Sequence, residues 1–171
     1  MNLKDLSTEE LLKLISPSSA PRQELKNRGV LRTGNVVGEI GEYYTKKFFQ
    51  KVDNKIYETT KKLPNLTLGE PGTKNVDALS RDGKIYSIKC ISAKNKTTGS
   101  FWNPENIKKN IKTFDYLIIL MLDDEYSVDK VLELNWDDFF QYKKFNKTMN
   151  NYQISVTNEI INKFKIIYKK I

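Results

Sequence analysis

The hydrophobic and polar positions along the chain predict a mixed α/β fold. The segment 116–122 is apolar throughout, which is typical of a central strand buried on both faces. From Val37 to Phe48 apolar residues recur at helical spacing, and Asn35 precedes them as an N-cap candidate. Two short apolar runs flank Asp82-Gly83, which predicts a β-hairpin because glycine accepts a positive φ in a tight turn. We therefore expect a central sheet covered by helices on both faces.

Side chains alternate between the two faces of the second hairpin arm, which places its serine and its lysine on the same face. Ser87 and Lys89 share one face of the predicted strand, whereas Ile88 and Cys90 point away from them. Asp77 lies on the first arm, where its carboxylate can approach Lys89. A carboxylate and an ammonium on a mostly apolar hairpin form either a structural ion pair or a site that acts on an anion.

Caps and breakers delimit the other elements. In chain order we predict a helix from a Ser7 capping box, a helix over 22–28 ended by Gly29, a strand over 55–60, a loop over 64–73, a polar and basic loop over 91–99, a helix from Asn103-Pro104 to about 112, a strand over 128–134, a helix capped by Asn135, a strand over 152–156 and a helix capped by Thr157. The pattern divides the chain into an N-terminal helical arm, 1–28, which is either an appendage or a dimer contact, and one main domain, 29–171.

The absence of histidine and the single cysteine limit the side chains that could catalyse a reaction or bind a metal. The chain has no histidine, which excludes catalytic triads and metal sites that need imidazole. Its single cysteine, Cys90, cannot form an internal disulfide. Any chemistry must therefore use carboxylates, lysines or hydroxyls, and a metal bound by such groups would be a hard ion such as Mg²⁺.

Charge and hydropathy indicate the kind of partner. Lys and Arg number 29 against 21 Asp and Glu, a formal charge of +8, which favours a polyanionic partner. No apolar run approaches the roughly 20 residues that span a bilayer, and no signal-peptide pattern is present. We expect a cytoplasmic protein without a membrane partner.

Two segments beside the hairpin have alternative interpretations. Glu39 and Glu42 lie three residues apart in the predicted helix, where they either contribute to a site or only complement the helix dipole. The basic loop over 91–99 suits phosphate contacts but also fits a solvated surface loop.

The order of these motifs resembles the PD-(D/E)XK nuclease superfamily. Gly38-Glu39-Ile40-Gly41-Glu42 is similar to its helix motif, Asp77 stands at its acidic position, and Ser87-Ile88-Lys89 stands at its (D/E)-x-K triplet. The segment 28–35 also resembles a small bacterial branch of these proteins. The resemblance covers about 29–143 and implies a restriction-endonuclease-like domain with a central mixed β-sheet flanked by helices on both faces.

The resemblance also implies a metal site. Asp77 and Glu42 would hold Mg²⁺, with the Ile88 carbonyl as a further ligand and Glu39 as the second choice for the helix acid; Mn²⁺ would substitute. Lys89 would orient the attacking water and offset charge on the phosphorus. Ser87 replaces the second carboxylate of the triplet, and its hydroxyl brings no charge to the metal.

The implied activity is Mg²⁺-dependent cleavage of double-stranded DNA by a homodimeric type II restriction endonuclease. Candidate DNA contacts are Arg32, Arg81, Lys94 and Lys96, which neighbour the proposed site in the sequence. Trp102 is either a stacking residue or part of the core. The alternatives are a nuclease-fold module that has lost catalysis through Ser87 and binds DNA or protein, and an interaction protein whose charge is incidental.

Overall fold

A computed structural model describes residues 5–7, 14, 19–31, 34–49, 66–68, 76–80 and 82–170 of the 171-residue chain. The helix predicted after Ser7, the strand predicted over 55–60, Arg32 and Arg81 lie outside the described residues, apart from single positions of that first helix.

Five helices and eight strands are described. The helices are α1 (Ala20–Asn27), α2 (Val36–Phe49), α3 (Pro104–Lys108), α4 (Trp136–Tyr142) and α5 (Asn158–Lys163). The strands are β1 (Leu66–Leu68), β2 (Ala78–Ser80), β3 (Ile85–Ile91), β4 (Tyr116–Leu122), β5 (Val128–Asn135), β6 (Lys143–Asn146), β7 (Asn151–Ile154) and β8 (Lys165–Lys169). None of the helices in these described ranges has the length and apolarity needed to cross a bilayer.

Six strands form one mixed sheet in the order β1-β2-β3-β4-β5-β8. Strands β3 and β4 are parallel, and every other neighbouring pair in this sheet is antiparallel. Strands β6 and β7 form a separate antiparallel hairpin. The prediction of a mixed α/β fold is confirmed.

The apolar run of β4 divides the core into two clusters, as the sequence predicts for a strand buried on both faces. Ile118 and Leu120 pack with Ile40 of α2 on one face. Leu117 and Ile119 pack on the other face, where α3, α4 and α5 contribute Ile107, Phe139 and Ile160. Each of these fully buried side chains contributes about 1.5–3 kcal/mol, so the strand holds both helical layers together.

Helix starts follow the predicted caps. The Asn35 side chain accepts a hydrogen bond from the Gly38 amide at 3.2 Å, and the Asn135 side chain accepts one from the Asp138 amide at 2.9 Å. Thr157 caps α5 in the same way. Each cap satisfies one amide that the helix itself cannot pair.

The β2–β3 hairpin turns at the predicted dipeptide. Gly83 has φ +77°, a value that glycine adopts without steric cost. Its amide donates to the Ser80 carbonyl at 3.1 Å, and the Ser80 amide donates to the Lys84 carbonyl at 3.0 Å. The turn fixes the register that brings Asp77 opposite Ser87.

Two predicted boundaries are wrong. The predicted loop over 64–73 contains β1, because Leu66 is buried and pairs with Ser80 of β2. The predicted helix over 104–112 ends at Lys108, because Asn110 adopts φ +56°, which leaves Ile111 exposed.

Candidate functional site

Asp77 stands immediately before β2, and two donors of β3 hold its carboxylate. The Asp77 amide donates to the Tyr86 carbonyl at 3.2 Å. Oδ2 of Asp77 accepts from the Ser87 hydroxyl at 3.0 Å and from the Ile88 amide at 2.7 Å. Within the described part of the chain no donor reaches Oδ1. The carboxylate is therefore fixed through one oxygen, and its second oxygen remains for another contact.

The Ile88 main chain faces the same side as this carboxylate. In a strand the N–H and C=O groups of one residue point toward the same neighbour. Because the Ile88 amide points to Asp77, its carbonyl also points to the side on which Asp77 lies. A carboxylate oxygen and a carbonyl oxygen thus flank one side of β3.

Lys89 lies beside this group on the face that it shares with Ser87. The two side chains and Asp77 line a recess of about 20 Å³ whose other walls are Phe101, Trp102, Thr113 and Phe114. That volume accommodates a single water molecule. The recess is therefore a surface notch beside a lysine and a carboxylate rather than a deep substrate pocket.

The Lys89 ammonium contacts an aromatic ring instead of a carboxylate. Its Nζ lies 5.2 Å from the centroid of the Phe101 ring, within the range of a cation–π contact. Among the described residues none of the ion pairs joins Lys89 to Asp77. The ammonium therefore keeps its capacity to meet an anion that enters the recess.

Neither Glu39 nor Glu42 is among the described residues that line this recess. Helix α2 packs with Gly41 against Cys90: a Cβ placed on Gly41 would lie 2.9 Å from the Cys90 Sγ. Cys90 faces the opposite side of β3 from Lys89. Glu39 and Glu42 are thus carried by a helix on the other face of the sheet, where Glu39 is buried.

The described acidic residues form no metal cluster. In the described ranges no three Asp, Glu or Cys side chains come together as a group that could hold an ion. The Cys90 thiol is also unsuited to bind a metal, because burial raises its pKa to about 12 and metals bind the thiolate.

Of the predicted DNA contacts, Lys94 and Lys96 are exposed in the loop that follows β3, while Arg32 and Arg81 lie outside the described residues. Lys96 lines a separate cleft of about 690 Å³ together with Asp123, Asp124 and Asp129. Trp102 is 63% exposed, so its placement as a core residue is wrong. Its indole stands at the rim of the recess.

Sequence reasoning missed the recess walls Phe101, Thr113 and Phe114. They lie in the connection between β3 and β4, which returns across the sheet so that the two strands run parallel. No local pattern marks which residues of such a connection come back to the triplet strand.

No family model matches this chain, and no curated protein sequence matches it.

Proposed function

We propose that this protein is a Mg²⁺-dependent endonuclease that hydrolyses phosphodiester bonds of double-stranded DNA. One observation carries the proposal: the Asp77 carboxylate, which is held through Oδ2 alone, and Lys89 line the same recess. Among the described residues Lys89 has no carboxylate partner. Asp77 supplies a negative oxygen, Lys89 supplies a positive charge, and both border a surface recess that a phosphate group can approach.

The element order supports a restriction-endonuclease-like arrangement. The motif helix α2, the Asp-bearing hairpin β2–β3 and the buried strand β4 follow one another, in the order on which the resemblance to PD-(D/E)XK nucleases rests. The parallel pairing of β3 with β4 lays the triplet strand beside the core strand. Fold alone does not establish activity, so the argument rests on the recess.

The oxygen atoms of the recess are too few to hold a metal ion by themselves, but they fit one that is also bound by the substrate phosphate. Mg²⁺ commonly uses one or two carboxylates, water and substrate phosphates in nucleotide-processing sites. Oδ1 of Asp77 and the Ile88 carbonyl would hold the ion, and a phosphate oxygen of DNA and water molecules would supply its remaining ligands. When bound, Mg²⁺ or Mn²⁺ polarises the phosphate and lowers the pKa of a bound water.

The protein's own residues then have separate tasks. Lys89 offsets the negative charge that accumulates on the phosphate oxygens in the transition state. Ser87 positions Asp77 by donating to Oδ2, and it adds no charge. Trp102, exposed at the rim, packs against a sugar or base next to the scissile bond.

The active site proposed at this recess would cut one DNA strand. Cleavage of both strands at a palindromic site therefore requires two protein chains related by two-fold symmetry. The proposed enzyme therefore acts as a homodimer of the type II restriction kind.

Plasmid cleavage tests the proposal. Purified protein is incubated with supercoiled plasmid and Mg²⁺ or Mn²⁺ at several salt concentrations. We expect cleavage that EDTA abolishes and that Lys89→Ala lowers by about 100-fold or more, because a preorganised charge at the transition state has that effect. Lys84→Ala, which removes an exposed lysine of the same hairpin, is the matched control. Absence of cleavage under all conditions, or full activity of Lys89→Ala, would contradict the proposal.

A second candidate is a DNA-binding module without catalysis. It is favoured by the hydroxyl of Ser87, which takes the place of a second carboxylate and occupies Oδ2 of Asp77. This candidate predicts DNA binding that needs no metal and no cleavage by either the natural chain or Ser87→Glu. Metal-dependent cleavage by the natural chain rejects it.

A further inference from the structure

The β6–β7 hairpin carries a concentrated basic and amide-rich surface. Between Phe139 and Asn158 the chain contains no Asp or Glu, whereas the hairpin and its turn contain Lys143, Lys144 and Lys147. Lys144 and Lys147 are exposed, and neither forms an ion pair within the described part of the chain. The positive charges of Lys144 and Lys147 are therefore not neutralised by acidic residues of this segment, and they complement a polyanion.

The two faces of the hairpin differ. Register pairs Lys144 with Gln153 and Asn146 with Asn151, so one face is entirely polar. The Asn146 Nδ2 donates to the Gln153 Oε1 at 2.9 Å, which fixes the orientation of both amides. In this arrangement the Gln153 Nε2 group and the second N–H of the Asn146 amide remain as donors that suit hydrogen bonds to base edges.

The hairpin exposes apolar groups on strand β6 and in its turn. Phe145 is 49% exposed and Met149 is 60% exposed. The four-residue turn 147–150 is ordered by a hydrogen bond from the Met149 amide to the Asn146 side chain at 3.1 Å. Met149 lies in the same turn as Lys147, and an exposed apolar group beside a lysine matches a groove that presents phosphates and thymine methyl groups.

The base of the hairpin is anchored beside the recess. The Phe101 amide donates to the Tyr152 carbonyl at 3.1 Å, and the Thr98 amide donates to the Ile154 carbonyl at 2.9 Å. Phe101 is itself a wall of the recess, and exposed Trp102 follows it. Lys143 donates to the Phe140 carbonyl at 2.9 Å, which ties the start of β6 to the end of α4. The hairpin therefore extends from the same part of the surface as Asp77 and Lys89.

We propose that the β6–β7 hairpin enters the major groove of duplex DNA and positions the phosphate backbone over the recess. The inference rests on the proposed function, because that function makes double-stranded DNA the ligand. A two-stranded ribbon fits the major groove of B-DNA, whereas side chains cannot read the deep, narrow major groove of duplex RNA. Lys144 and Lys147 contact phosphates, and the amide face contacts base edges.

Fluorescence anisotropy in EDTA tests this inference separately from cleavage. The probe is a labelled 20-bp DNA duplex, titrated with the natural chain and with Lys144→Ala/Lys147→Ala. We expect the double variant to bind about 10-fold more weakly and its plot of log Kd against log salt to flatten by about 1 to 2 in slope. The control Lys26→Ala/Lys169→Ala removes two exposed lysines of α1 and β8 and is expected to bind like the natural chain.

The outcomes separate the two proposals. Unchanged binding by the hairpin variant, equal losses in hairpin and control variants, or tighter binding to duplex RNA of the same sequence would overturn the hairpin inference, even if plasmid is cleaved. Loss confined to the hairpin variant supports it, even if no cleavage is found.

Discussion

Two aspartates precede strands of this sheet, and their surroundings distinguish a structural carboxylate from an available one. Asp115 uses both oxygens: Oδ2 accepts from the Ile85 amide at 2.8 Å, and Oδ1 pairs with Lys112 at 2.7 Å. Asp77 uses Oδ2 alone. We conclude that Asp115 serves the fold and that Asp77 retains an oxygen for a ligand.

Asp115 gives a prediction on stability and pH. Burial would raise the pKa of Asp115, but the hydrogen bonds from Lys112 and the Ile85 amide outweigh it and lower that pKa below its usual value. The stabilisation is therefore complete above the unfolded-state pKa of about 3.9 and is lost as the pH falls through the lower folded-state pKa. We expect Asp115→Asn to lower the free energy of unfolding by about 1 kcal/mol at pH 7 and by less at pH 3.

Urea denaturation at the two pH values measures this difference. Asp124→Asn, a change to an exposed turn residue, is the control and is expected to alter stability by less than about 0.5 kcal/mol. A loss in Asp115→Asn that is equal at both pH values would show that the charge of Asp115 contributes nothing.

At the scale of elements, α2 is held against β3 by a close contact that depends on Gly41. A Cβ at that position would meet the Cβ and Sγ of Cys90. In a helix interior alanine is favoured over glycine by about 1 kcal/mol, so any destabilisation by Gly41→Ala must come from the steric clash of the added Cβ with Cys90. The contact fixes which face of the sheet the helix covers.

Gly41→Ala is expected to lower the free energy of unfolding by about 1–3 kcal/mol, the usual cost of overpacking a core. Chemical denaturation of this variant and of Gly34→Ala, where no atom of the described residues lies within 4 Å of an added Cβ, measures this loss. A Gly41→Ala protein more stable than the natural chain would show that α2 does not approach β3 this closely.

Local patterns predicted the elements whose cause is local. The continuous apolar run of β4, the turn at Gly83 and the caps Asn35, Asn135 and Thr157 each act within a few residues. Strand β1 lies among prolines and glycines and forms because it pairs with β2. Strands β6 and β8 were not predicted, since they likewise depend on partners distant in sequence or on a turn without a strong dipeptide.

The candidate site was predictable where it depends on local strand geometry and not where it depends on the placement of a helix. Period-two alternation placed Asp77 with Ser87 and Lys89, and the structure brings those residues to one recess. Helical spacing placed Glu39 and Glu42 near each other, but it carries no information on which sheet face α2 covers. The predicted convergence of a helix acid with Asp77 depended on that missing information.

At the scale of the whole molecule, the proposed DNA-binding hairpin lies beside the proposed active site. The chain carries a formal charge of +8, and the β6–β7 hairpin is tied by hydrogen bonds to the segment that forms the recess wall. An anion steered to the basic hairpin arrives beside Lys89. We therefore propose that the β6–β7 hairpin binds the groove and that the recess beside the β2–β3 hairpin acts on the phosphate.

The central claim is that Asp77, rather than a helix acid, is the carboxylate at the scissile phosphate. Its most direct test compares Mg²⁺-dependent plasmid cleavage by Asp77→Asn and Glu42→Gln, with DNA affinity in EDTA measured on the same preparations. We predict that Asp77→Asn lowers the cleavage rate by about 100-fold or more and that Glu42→Gln stays within about threefold of the natural chain, both with unchanged DNA affinity. Equal loss of cleavage in the two variants, or normal cleavage by Asp77→Asn, would contradict the account.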